Sequence, residues 1–592
     1  MKTTFLRCAL LMCLVFSIGT AQGQIPTPSA GLTTIGLIPV PGWTTAAGAF
    51  DLASFNPVNR VMYFADGTNH AITAVDTVTN TLIGSISPPG CTQNQCPSGI
   101  QVIPDLQKLV VTNRQTTDWI YDLRAPGSQP VSVTVPAGTD ELDYDPIHQR
   151  VYVGNTTAPF FLIGIDLTGP KANTIVAQIP LPGSVEQPRF NPVDGMIYVA
   201  IPSVGLIVVD PSAGAAGTGD IVATLTAGGS GTVPTLADCG PQGNDIDPVT
   251  NTMLIGCRGR LNGEAVLNLT NRTMLSFQPF PTSNDVLKFN PNNRRWYTGT
   301  GGNLNNGGNC PSTSTGTVFP VVGVFAAPPA GSTSLNAAFV GTECAGRGGQ
   351  RAMVDTIGNN IYMNAVQYPP DPASTSTGQS GILVFNDTAP TQPMPARSQA
   401  TVGSYGTATF TQNGRAMNAF ANLQGLADTP TRLVVTTTVG NETVPCSEAA
   451  GRAMCKGQLI GDPLIGGVVD LANNGKLLSK GSIAAAPGLL ITGVGFSVGG
   501  FNAATVNLGS SYSAGISGSN LTDQIYFDVR FQAPGTNSFT EALNWQTGAS
   551  ASHTVPAGTP RGTWMINGVR AHQDPADHTG SYIPVSATVT VQ

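Results

Sequence analysis

At 592 residues and a formal net charge of −7, the chain is too long for one hydrophobic core and too poor in cations to grip nucleic acid. Only 10% of its residues are charged and no Lys/Arg cluster occurs, which excludes a basic phosphate-binding face. Gly (70) and Pro (46) are abundant, yet runs of Val, Ile, Tyr and Thr recur between them, so the breakers read as turns of an all-β protein.

The N-terminus reads as a targeting segment. Lys2 and Arg7 precede an apolar run over 9–18, and Ala21-Gln22-Gly23 places small residues at a cleavage site. These are the parts of a secretory signal peptide over 1–23, removed from the mature chain. No later run approaches the roughly 20 apolar residues of a membrane span. The expected location is therefore secreted, periplasmic or at the cell surface.

Seven times between Phe55 and Met363 one phrase repeats: an inner strand, an Asn/Asp-Pro turn, then an apolar strand carrying an aromatic. The turns are Asn56-Pro57, Asp145-Pro146, Asn191-Pro192, Asp247-Pro248 and Asn290-Pro291, with degenerate copies at Pro104-Asp105 and Asp355-Thr356. Most successive turns lie about 42–47 residues apart, and blades of four-stranded propellers take about 40–45. Seven copies predict a seven-bladed β-propeller over 24–395. The run 34–39 reads as an outer strand without a blade of its own, placed to complete the last blade and hide its open edge.

The segments RVYVGN (150–155), GLIVVDPSAG (205–214) and AITAVDTVTNTLIGSI (71–86) carry a family resemblance. The chain resembles the YVTN-type β-propeller repeat of bacterial and archaeal surface proteins over about 31–395. The resemblance implies a propeller and an envelope location, and it leaves the chemistry open.

Without the signal segment, which holds Cys8 and Cys13, eight cysteines remain in close sequential pairs. They are Cys91 with Cys96, Cys239 with Cys257, Cys310 with Cys344 and Cys446 with Cys455. An even count in an exported chain reads as disulfides. The strand order puts the first six on one face of the propeller, opposite the Asn/Asp-Pro turns, together with the long insertions 301–320 and 367–380. Braced, lengthened loops on one face predict the working surface.

Near the starts of the inner strands lie Asp51, Asp140, Glu141, Glu186, Asn244, Asp245, Asn284 and Asp285, with Arg351. Six of them (Asp140, Glu141, Asn244, Asp245, Asn284 and Asp285) form a candidate calcium site, since hard cations take six to eight oxygens. Propeller lactonases hold calcium with such residues, to polarise a substrate carbonyl. The same groups also serve simply to solvate a channel mouth. A second candidate metal set is His572, Asp574, Asp577 and His578, which equally reads as the turn of a hairpin. No Cys-x-x-Cys-His haem attachment occurs.

Past a Pro/Thr-rich stretch at 388–395 the period stops while strand-like runs continue. They predict one or two Ig-like modules splitting near Ala485: a β-rich module over 396–484, Ig-like or of another β type, and a C-terminal Ig-like β-sandwich over 485–592, with Trp545 and Trp564 each anchoring a small core. The expected function is a non-enzymatic envelope scaffold for adhesion or for binding a protein or glycan. The alternative is a cation-dependent, lactonase-like propeller hydrolase or lyase acting at the channel mouth.

Overall fold

The computed structural model describes residues 29–592 except 45–49, 93–95, 215–217, 226–234, 301–319, 369–377, 392–396, 520–525, 546–552, 573–577, 579–581 and several segments of one to three residues. The expected signal peptide lies outside the described residues.

The Asn/Asp-Pro turns fold by local chemistry. Asn56 Oδ1 accepts from the Val58 N–H at 3.0 Å, Asp145 Oδ1 from Ile147 at 2.8 Å and Asn191 Oδ1 from Val193 at 3.0 Å. Asp247, Asn290 and Asp355 do the same for Val249, Asn292 and Ile357. Four residues after each of these side chains the backbone turns left-handed, at Arg60, Gln149, Gly195, Asn251, Arg294 and Asn359. A side-chain oxygen caps the turn and a positive φ reverses the chain, so each phrase becomes a hairpin. The aromatic that follows fills the space between sheets: Tyr152, Tyr198, Tyr297 and Tyr362 are fully buried. Their hydroxyls reach polar partners, Tyr198 donating to Asp194 Oδ2 at 2.7 Å and Tyr362 to Asn80 Oδ1 at 2.7 Å.

Seven four-stranded antiparallel sheets result, over 53–86, 100–134, 139–180, 188–225, 241–278, 284–344 and 352–386. Six are simple meanders. The seventh has three strands of its own, and the N-terminal strand Thr33–Pro39 completes it, with Thr33 opposite Asn386 and Pro39 opposite Gly381. Inner strands of successive sheets touch, and that of the last, Ala352–Asp355, touches that of the first, Ala53–Asn56. The arrangement is propeller-like. Arg60 of the first sheet pairs with the fully buried Asp355 of the last at 3.0 Å, across the join.

Residues 397–485 depart from expectation. Where an Ig-like sandwich was predicted, eight strands from Arg397–Val402 to Lys476–Ala485 close into a barrel, with Ser398 opposite Ala485. Closure follows from long strands whose alternate residues (Val402, Phe410, Leu423, Leu433, Val435 and Leu471) point to one interior. The last hundred residues form two sheets, of four and five strands. Phe496 and Ala514 from one and Phe527, Val529 and Trp545 from the other share a single core. Trp564 packs against that core instead of anchoring a second.

The barrel sits on the turn end of the ring of sheets. Arg432 donates to the carbonyls of Pro146 (3.1 Å) and Ile147, and Lys480 to those of Pro192 (3.0 Å) and Val193. Thr443 donates to Asp105 Oδ2 at 3.1 Å, and Ala472 and Leu477 enter the core around Ile147. The turns that define the repeat thus offer their carbonyls to barrel cations.

Candidate functional site at the two ends of the channel

The loop end, opposite the barrel, is where the inner strands begin. Three disulfides form as the sequence predicts: Cys91–Cys96, Cys239–Cys257 and Cys446–Cys455. The first two brace this end; the third clips neighbouring barrel strands, where Cys446 lies opposite Cys455. Cys344 is disulfide-bonded, and its expected partner Cys310 lies outside the described residues. Before the fifth inner strand a single helical turn, Leu236–Cys239, is held by a capping box in which Thr235 and Asp238 bond reciprocally.

At this end the expected acidic groups meet arginines. Asp140 lies 2.6 Å from Arg114, which reaches Asp51 at 3.4 Å. Asp51 lies 2.8 Å from Arg351, which reaches Asp285 at 3.3 Å, and Asp285 lies 2.9 Å from Arg258. The result is a chain of alternating charges, Asp140–Arg114–Asp51–Arg351–Asp285–Arg258, drawn from six of the seven sheets. The fourth sheet breaks it. That sheet contributes Glu186, which among the described residues forms no ion pair with an arginine, beside Glu141 of the third. Burial, then the Asp140 and Asp285 carboxylates, push Glu186 up to about 8. Burial, then Glu186 and Asp140, push Glu141 well above the usual carboxylate range, and its Oε2 is buried without a hydrogen bond.

The six-residue calcium set is not assembled. Asn244 and Asn284 spend their amides on backbone carbonyls, Asn244 Nδ2 donating to Gln187 at 2.9 Å and Asn284 Nδ2 to Pro281 at 3.1 Å. Asp245 lies farther along the channel, where its Oδ2 accepts from the Phe289 N–H at 2.8 Å. The cause is a register shift between strands: the ladders skip between Pro241 and Asn244, and between Asn284 and Leu287. Side chains next to each other in sequence are thereby sent to different places. Asp140, Glu141 and Asp285 do share the loop end, but guanidinium groups occupy the positions from which Asp140 and Asp285 would serve a cation. Among the described residues, no three His, Cys, Asp or Glu side chains converge as a metal-ligand set. The arrangement does not fit calcium.

The second set fares similarly. His578 Nδ1 lies 3.0 Å from Asp528 Oδ2, a fully buried carboxylate that Arg570 also holds at 2.6 Å. His572 ends the strand Gly562–His572, while Asp574 and Asp577 lie outside the described residues.

Sequence reasoning missed a ring deeper in the channel. Three residues before each turn proline or its equivalent stand Ser54, Gln101, Asp143, Arg189, Asp245, Lys288 and Met353, one from each sheet. All seven line a cavity of about 260 Å³ whose far wall is the barrel hairpin around Thr437 and Asn441. A fixed offset from the turn was the available signal; the residues differ in chemistry from repeat to repeat, so no motif marks them.

No known family model matches the chain, and no curated protein matches it. Among solved structures, a chain of the hydrazine synthase of Kuenenia stuttgartiensis is similar at 13% identity, covering 58% of this chain and 96% of that one, with a TM-score of 0.42. A chain of a mitotic checkpoint complex is similar at 11% identity, covering 61% and 96%, with a TM-score of 0.44.

Proposed function

We propose that this protein is a secreted or cell-envelope binding scaffold: a seven-bladed, YVTN-type propeller whose loop end engages a protein partner, followed by a barrel and a C-terminal Ig-like sandwich that acts as spacer. The observation that carries this reading is the interrupted charge chain. Six sheets neutralise one another's charges, and the gap presents Glu141 and Glu186, two carboxyls that make no ion pair among the described residues and feel Arg189 and Arg114 only at a distance. A lysine or arginine side chain from a partner would complete the chain there and supply the opposite charge that buried carboxyls require. Disulfide-braced loops around the same end are a further support, because rigid loops lower the ordering cost of binding. A glycan is the other partner class this surface suits, through hydrogen bonds to its hydroxyls.

The test uses the purified mature protein against arrays of surface proteins, lysine-rich peptides and glycans, with Glu186→Gln and Glu141→Gln beside it. Binding that prefers basic peptides and falls about tenfold or more in either variant is the expected result; a lost charge-assisted contact is worth roughly 1.5–3 kcal/mol. Calcium-dependent turnover of a lactone or ester, abolished in Asp140→Asn, would replace the scaffold reading with the hydrolytic one.

A further inference from the structure

The channel ring carries two charged side chains that make no direct ion pair among the described residues. Arg189 is fully engaged: its Nε donates to the Asn244 carbonyl at 2.9 Å, Nη1 to that of Pro188 at 2.7 Å and Nη2 to Gln187 Oε1 at 2.6 Å. Asp245 accepts from the Ile246 and Phe289 N–H groups, one on each oxygen. Lys288 is different. Among the described residues its ammonium has no hydrogen-bond or ion-pair partner, although Arg189 and Asp245 are its ring neighbours. Asp143 accepts from the Phe190 N–H through Oδ2 at 2.7 Å, and among the described residues its Oδ1 has no donor. Asp143 belongs to the third sheet and Lys288 to the sixth, so the two stand across the axis of a seven-membered ring, where each charge acts on the other without a hydrogen bond or ion pair between them.

The space between them suits a small molecule. A water needs only about 10–15 Å³ of such volume, so a cavity of about 260 Å³ holds far more than one. Apolar walls from Phe55, Phe190, Phe289 and Met353 alternate with the charged positions, the mix of a small-ligand site. What remains accessible of Lys288 faces this cavity and not the outer surface. Burial, then the Arg189 guanidinium, accordingly push its ammonium below the ordinary lysine range. Burial likewise lifts the Asp143 carboxyl above its ordinary value. Opposite charges act on both groups only at a distance, Arg189 and Lys288 on Asp143, and Asp245, Asp143 and Glu141 on Lys288; among the described residues neither group makes a direct ion pair.

We infer that the channel cavity binds a small zwitterion, an amino acid in the chemical sense, with its carboxylate on Lys288 and its ammonium on Asp143. The site is separate from the partner surface proposed at the loop end, and either stands without the other.

The experiment is calorimetry on the dialysed full-length protein with unbranched ω-amino acids from glycine to 6-aminohexanoate. The monofunctional acid and amine of each length serve as controls. One chain length should bind at least tenfold more tightly than either control, and Lys288→Met and Asp143→Asn should each weaken it at least tenfold. Wild-type data alone can overturn the proposal: no heat with any member of the series, or amino acids no tighter than the matched acid, would leave the cavity filled by water. Undiminished binding in a Lys288→Met protein that still melts cooperatively would overturn it equally.

Discussion

Asp118, at the start of the strand Thr117–Asp122, shows how single side chains set the acid–base behaviour of the fold. It is fully buried, its Oδ1 accepting from the Thr139 hydroxyl at 2.7 Å and its Oδ2 without a partner. Burial raises it to about 7. Burial also dominates at Asp470, raised to about 7, and at Glu186, raised to about 8. In each case the folded state keeps a proton that the unfolded chain releases near its ordinary carboxylate pKa. Stability is therefore greatest on the acid side and falls as pH rises from about 4 to about 8. Asp118→Asn should remove part of that slope, adding about 1–3 kcal/mol at pH 8 and almost nothing at pH 4. Urea titrations at the two pH values check this, and an equal gain at both would refute the assignment.

Among elements, the strand Thr33–Pro39 has the largest consequence for its length. It contributes seven residues to a sheet that otherwise ends at the unpaired edge of Gln379–Asn386. Its Ile38 packs into the core that joins the last sheet to the first three, and its Leu37 packs on the core of the last two. A chain beginning at residue 40 should expose that edge, a template for pairing with other molecules. We expect it to aggregate on refolding while the chain beginning at residue 24 stays monomeric, as light scattering would show. Monomeric, fully stable protein from the shorter chain would mean that the strand is dispensable. Its role was legible in sequence because a lone outer strand and a repeat one strand short have only each other to pair with. Less legible was the offset of the inner strands, since a bulge leaves no residue signature at Asn244 or Asn284.

For the molecule as a whole, the barrel decides which end of the ring can meet a partner. It binds the turn end through Arg432, Lys480 and Thr443, and so leaves the proposed partner surface at the loop end. Arg432→Met removes the donors to the Pro146 and Ile147 carbonyls and should cost about 1–3 kcal/mol. The expected signature in a calorimetric scan is a barrel transition separating from that of the seven sheets. A single, unshifted transition would show that the apolar contacts of Ala472 and Leu477 suffice to hold the barrel.

The sequence by itself determined what local chemistry controls. Asn and Asp side chains cap their own turns at 56, 145, 191, 247, 290 and 355 whatever surrounds them, and the apolar alternation between turns makes strands. Cysteines close in sequence met as predicted at 91–96, 239–257 and 446–455. Only the tertiary structure decided the rest. Arg114, Arg258 and Arg351 neutralise carboxylates from other sheets, a pairing set by the closure of the ring and by no spacing along the chain. Barrel or sandwich over 397–485 depended on whether Arg397–Val402 found Lys476–Ala485, a contact between strands some eighty residues apart. Lys288 and Asp143 acquire their meaning in the same way: they are ordinary strand residues until seven sheets bring them to opposite walls of one cavity.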